Sequence, residues 1–181
     1  SEKQVAKIVG SGAEKLVKDA IGKPVSAEEL KERLDFYNFI YTSSGSPKTS
    51  MFFGMGELFS ALKNRGLKIA VLTNKPQQTT DVVNEKYLKK YSFDYVLGQR
   101  EGIKTKPDKQ GAMLIMNELG VLPEETVLVG DGETDAMTAI NAGVTGVSCL
   151  WGYRKKKDLE KVGAVNFIKK PKDLLKFLAD K

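Results

Sequence analysis

From Leu67 onward the chain repeats one beat: a short run rich in β-branched and apolar residues, then a stretch with helical spacing. The runs are "KIAVLT", "FDYVLG", "TVLVGD", "TGVSCLW" and "AVNFI". Parallel neighbours can be joined only by a crossover long enough to hold a helix, so this alternation predicts an α/β fold, a parallel sheet with helices on both faces. Between the runs, "TTDVVNEKYLKKY" places Val82, Val83 and Tyr87 at helical spacing. "DKQGAMLIMNELG" closes on Gly120 as a C-cap, and the stretch after "GDGE" puts Ala136, Ala139 and Ile140 on one apolar face.

The first third reads differently. "EKQVAKIV", "GAEKLVKDAI" and "SAEELKERLDFYNFIY" are all helical in period, with no strand of comparable strength among them. The Ser-, Gly- and Pro-rich "TSSGSPKTS", Thr42 to Ser50, reads as a linker, after which "MGELFSALKNRG" makes a helix leading into the first strand. The expected division is a helical unit over residues 1–47 and an α/β core over residues 48–181.

Composition narrows the chemistry. The chain has no histidine, which removes Ser-His and Cys-His nucleophile pairs and the commonest zinc ligand. Its only cysteine, Cys149, lies in the apolar run "GVSCLW"; no internal disulfide can form, a reducing cytoplasmic setting fits best, and a buried inert thiol is expected. Catalysis must therefore rest on carboxylates, lysine and hydroxyls. The net charge of +6 is spread over many lysines, and "RKKK" at Arg154 to Lys157 reads as a solvated helix face, with no aromatic interleaving to suggest nucleic acid. No window approaches the ~20 apolar residues of a membrane-spanning helix.

Ligands of open parallel sheets bind beyond the carboxyl ends of the strands. After "KIAVL" come Thr73 and Asn74, which can cradle an anion or merely cap the next helix. Lys106, stiffened by Pro107, can present a compact charge to a phosphate, or be an ordinary surface lysine. After "TVLVG" stands Asp131 between two glycines, with Asp135 four residues on and on the same side of the first helical turn. Such acids can cap the helix, or hold a hard cation such as Mg²⁺.

Taken in order, "FFGMGELFSALKNRGLKIAVLTNK", "KTKPDKQGAM", "VLVGDGETDAMTAINAG" and the tail "SCLWGYRKKKDLEKVGAVNFIKKPKDLL" resemble the haloacid dehalogenase-like phosphatases, most closely the phosphoglycolate phosphatase-like branch. The resemblance implies a Rossmann-like sheet with a small inserted helical cap, here the N-terminal unit. It implies that Thr73 and the backbone at Asn74 hold the transferring phosphoryl group and that Lys106 neutralises nucleophile and phosphate. Asp131 would ligate Mg²⁺ with Asp135 in support, and Glu133 would act through water. "VGSGAEKLVK" resembles the cap segment that selects substrate, making Gly10, Ser11, Gly12 and Lys15 candidates to meet the leaving group. The implied partner is a small phosphorylated metabolite, with no nucleic acid and no membrane, in a monomer or homodimer.

One part of the pattern is not matched. The family opens its core with a strand ending in Asp-x-Asp-Gly-Thr, whose first acid attacks phosphorus and whose second is the general acid and base, and this sequence contains no such motif. The expectation is therefore a core lacking its central first strand, and little or no phosphatase activity from these 181 residues alone. A non-catalytic phosphate-binding or interaction protein, and a phosphomutase or dehalogenase on the same scaffold, are the rival readings.

Overall fold

The computed structural model describes residues 8–10, 12–44 and 49–179. Helix α1 covers Ala13–Ile21 and α2 covers Ala27–Ser44. The Ser26 hydroxyl accepts from the Glu29 N–H at 3.1 Å, satisfying one of the donors that every helix start leaves open. Helix α2 runs three residues into the expected linker, because the Thr42 hydroxyl bonds back to the Asn38 carbonyl at 2.8 Å instead of breaking the turn. Of the segment "EKQVAKIV", residues 2–7 lie outside the described residues, as do residues 45–48 of the linker.

The remainder follows the strand and helix beat: α3 (Met55–Asn64), β1 (Ala70–Pro76), α4 (Gln77–Val83), β2 (Tyr95–Gln99), α5 (Gln110–Leu119), β3 (Val127–Gly130), α6 (Glu133–Ala142), β4 (Thr145–Cys149), α7 (Lys156–Lys161), β5 (Phe167–Ile168) and α8 (Asp173–Phe177). Every pairing is parallel, as expected. Strand "AVNFI" contracts to Phe167–Ile168, and the helical stretch after β1 changes to a π-helical turn at Asn84–Leu88 and a 3-10 turn at Lys89–Tyr91. Gly120 ends α5 in the left-handed conformation expected of it.

Among the described residues the strands form two sheets, β1-β2 and β3-β4-β5. Helix α6 lies on one face of the second, close enough that a Cβ on Gly146 would stand 2.9 Å from that of Ala139. On the opposite face Val147, Cys149 and Ile168 join Leu58 and Leu62 of α3 and Leu174 of α8 in the main buried cluster. Of the apolar face expected on α6, Ala136 and Ala139 are buried but Ile140 is 56% exposed, since the helix turns it off the sheet toward Gly163. Among the described residues no helix is long and apolar enough to cross a membrane.

Candidate active site

Strand β1 pairs in register with β2 from Ala70 to Leu72, slips, and pairs again at Pro76. The slip takes Thr73, Asn74 and Lys75 out of the ladder, and irregularities of this kind re-aim side chains at the end of a strand. Asn74, 5% exposed, uses its amide as a clamp. Its Oδ1 accepts from the Lys106 N–H at 2.7 Å, while Nδ2 donates to the Lys106 carbonyl at 3.1 Å and the Gly10 carbonyl at 3.2 Å. Asn74 thus fixes the backbone of the lysine segment, including the cis Lys106-Pro107 bond, and ties it to the N-terminal unit.

The fixed backbone aims Lys106 inward. Its ammonium donates to Asp135 Oδ1 at 2.6 Å and to the Leu72 carbonyl at 2.9 Å, with both side chains of the ion pair under 15% exposed. Asp135 Oδ2 accepts from the N–H groups of Asp131 and Gly132 at 3.2 and 3.0 Å. A largely buried pair holds only when its remaining donors and acceptors are met, and here backbone groups meet those of Asp135. An ammonium has three donors, so Lys106 keeps one for an anion.

Asp131 and Asp135 are each packed against a glycine. A Cβ on Gly152 would stand 2.1 Å from the Asp131 carboxylate, and one on Gly130 would stand 2.3 Å from Asp135, so side chains at either position would collide with the acids. Asp131 Oδ2 accepts from the Tyr153 N–H at 3.1 Å. Burial, and after it the charge of Asp131, push the neighbouring Cys149 thiol up to about 12, which leaves it protonated and inert, as expected.

Thr73, Asn74, Lys106, Asp131, Glu133, Asp135, Gly10 and Gly12 all line one cavity of about 270 Å³. Thr73 Oγ1 also accepts from the Lys75 N–H at 3.2 Å within β1; the helix cap read as its alternative is not made, since α4 starts after Pro76 with no side-chain cap hydrogen bond. Lys15 is not brought there: it pairs with Asp19 at 2.8 Å on an exposed face of α1, where one turn of helix separates the partners. Ser11 lies outside the described residues. The carboxylates do not assemble a magnesium site by themselves. Among the described residues no three acids, cysteines or histidines cluster for a metal; of the acids lining the cavity, Asp135 pairs with Lys106 and Glu133 with Arg154, which makes Asp131 the candidate ligand for an ion that demands near-octahedral oxygen ligation.

Among the lining residues that escaped the sequence reading are Tyr37, Lys75, Tyr153 and Arg154. Arg154 is a correction to the solvated "RKKK" run. Its side chain is 21% exposed, pairs with Glu133 at 2.7 Å and donates to the Val9 carbonyl at 3.0 Å. Lys75 reaches Tyr41 of α2, its ammonium 2.5 Å from the hydroxyl and 3.9 Å from the ring centre. Tyr37, also on α2, has its phenol held above the ordinary value, by burial first and then by Tyr41. The "WGYR" tail carried the available signal: an arginine directly after the tight turn that follows a strand.

The sequence profile of haloacid dehalogenase-like hydrolases matches residues 1–148. The chain belongs to that family. It is similar to "Phosphoglycolate phosphatase 1" of Pseudomonas aeruginosa, 27% identical over 178 residues that take in 95% of this chain and 65% of that protein. A phosphoglycolate phosphatase of Pectobacterium atrosepticum is 30% identical over 166 residues, 88% of this chain and 69% of its own. Among solved structures, a candidate phosphoglycolate phosphatase from Lactobacillus delbrueckii superposes with a TM-score of 0.87 at 27% identity, over 96% of this chain and 81% of that one. The chain of this haloacid dehalogenase-like hydrolase therefore spans just under two thirds of the Pseudomonas relative and somewhat more of the others.

Proposed function

We propose that the protein hydrolyses a small phosphomonoester, with 2-phosphoglycolate the first substrate to test. The reading is carried by the convergence of Thr73, Lys106 and Asp131 on one cavity at the carboxyl ends of parallel strands. In it, the Thr73 hydroxyl and the backbone near Asn74 receive the phosphoryl oxygens, and the free donor of Lys106 offsets their charge. Residues 1–47 act as a cap over a core of residues 48–181, and Gly10 and Gly12 bring their backbone to the leaving group. The attacking carboxylate forms an acyl phosphate as the alkoxide leaves with a proton, and water then cleaves that acyl phosphate. The reading requires that carboxylate, the general acid and further ligands for Mg²⁺ beside Asp131 in addition to the residues named, since the Asp-x-Asp-Gly-Thr motif that would supply them does not occur in this sequence. The setting is the cytoplasm and the partner a small phosphorylated metabolite.

The commitment of Asp135 to Lys106 favours a second reading for these residues taken alone, phosphate binding without turnover. One experiment separates them: phosphate release from 2-phosphoglycolate and a panel of sugar phosphates with Mg²⁺, by the 181-residue chain and by the complete translation product. The expected result is release by the complete product, lost on chelation and on Lys106→Met, and little or none from the 181 residues. Release by neither, with phosphate binding retained, would leave the second reading standing.

A further inference from the structure

Among the described residues, Lys75, Lys106 and Arg154 bring positive charge to the wall of the active-site cavity. Lys106 pairs with Asp135 at 2.6 Å and Arg154 with Glu133 at 2.7 Å. Lys75 differs: its half-buried ammonium meets the hydroxyl and the ring face of Tyr41, and among the described residues it forms no salt bridge. A phenol and an aromatic face offset part of the cost of taking an ammonium out of water, but they leave its charge uncancelled. An ammonium has three donors, and among the described residues Tyr41 takes one of them.

The backbone sets that charge close to the position of Thr73. The Lys75 N–H donates to Thr73 Oγ1 at 3.2 Å, so the lysine starts at the hydroxyl that the phosphatase reading gives to the phosphoryl oxygens. Its side chain then runs to Tyr41 of α2, a helix whose Tyr37 lines the same cavity. Gly12 lies against this stretch, since a Cβ there would stand 3.5 Å from the Asn74 carbonyl, in the peptide that leads into Lys75. Lys75 therefore stands beside the segment given to the leaving group, while Lys106 is turned toward Asp135.

We propose that Lys75 selects the substrate, and that it selects a short phosphomonoester whose leaving group carries a carboxylate. The term leaving group rests on the phosphatase reading; recognition of a ligand with a phosphate at one end and a carboxylate at the other does not need turnover. A hydrogen bond between charged groups is about twice as strong as a neutral one, and the cavity, at about 270 Å³, leaves a small ligand little room to turn its charged end away. A neutral end leaves the ammonium uncompensated, and a cationic end is repelled, so the discrimination has both an attractive and a repulsive part. Lys106 cannot discriminate in this way, because every phosphomonoester offers it a phosphate.

The test compares phosphomonoesters of nearly one size: 2-phosphoglycolate, 2-hydroxyethyl phosphate and phosphoethanolamine, whose free ends are negative, neutral and positive. Phosphate release by the complete translation product gives kcat and KM for each, and calorimetry gives their affinities for the 181-residue chain. Expected is a preference for 2-phosphoglycolate over the neutral ester of roughly tenfold or more in kcat/KM and in affinity. Lys75→Met should bring that ratio to within about twofold of one, and Lys75→Arg should keep most of it. Lys75→Glu should invert the order in favour of phosphoethanolamine. Where a variant does not fold, the order shown by the wild type decides. A lysine that only tethers α2 would lower all the esters together and leave the ratio as it was. That result, or release from all of them at like kcat/KM, overturns the proposal and leaves the phosphatase reading standing. If nothing is released, the affinities decide: the same ordered preference keeps Lys75 as the selecting residue and removes the phosphatase reading, whereas binding without order, or none, removes both.

Discussion

Lys106 holds two structural acceptors and has a third donor in reserve, so its removal has two separable effects. Lys106→Met leaves the Asp135 carboxylate half-buried with only backbone donors, and urea unfolding at pH 7 is expected to show a loss of about 1–3 kcal/mol. Adding Asp135→Asn should recover part of that loss but none of the phosphate affinity measured by calorimetry. A recovery of both would mean that Lys106 serves structure alone. Cys149 gives a cleaner expectation: with its thiol pushed up to about 12, it should stay unreacted toward a disulfide reagent at pH 8 and react in full once the chain is unfolded in guanidinium. The positions after each strand were readable from sequence because strand, turn and acid or hydroxyl are neighbours in the chain. Arg154 was not, since the carbonyl it binds, that of Val9, lies 145 residues away and no local pattern marks such a partner.

At the scale of elements, Asp94 joins three. Its carboxylate accepts from Lys63 at the end of α3 at 2.9 Å and from the Ile69 N–H before β1 at 2.7 Å, and it stands just ahead of β2. Burial works to raise its pKa, but the Lys63 and Ile69 hydrogen bonds and the Lys63 charge outweigh it, so the carboxyl lies below its ordinary value. A lowered folded pKa means stability that is present above the unfolded value of about 4 and lost as pH falls through the folded one. Asp94→Asn should therefore lower stability by about 1 kcal/mol at pH 7, and the deficit should shrink as the wild type is acidified below pH ~4. A deficit constant with pH would show that the charge is not what matters. The strands were legible because buried parallel strands write themselves as apolar runs, but their division into two sheets was not. The failure at Ile140 has the same root: helical spacing says that residues share a side, while only the packed sheet says how wide its contact is.

Across the whole molecule, the polar contacts among the described residues that join the N-terminal segment to the strands and their loops include Asn74 to the Gly10 carbonyl, Arg154 to the Val9 carbonyl, and Lys75 to Tyr41. Arg154→Ala should loosen this docking with the core intact, seen as faster proteolysis between α1 and α2 at nearly unchanged midpoint of unfolding. If cleavage is no faster, the docking rests on other contacts. The change from purely helical periodicity to the strand and helix beat was visible in the sequence. How the parts touch was not, because the contacts join residues far apart in sequence.

Two of those three contacts end on main-chain carbonyls, which every amino acid carries. Val9 can thus exchange its side chain without changing what Arg154 holds, whereas Gly10, at φ +119°, has a backbone conformation in which a side chain is strained. At Val9 the attachment is indifferent to sequence just where the wall of the cavity is formed, so that part of the wall is free to drift through mutation while the contact beneath it stays assembled.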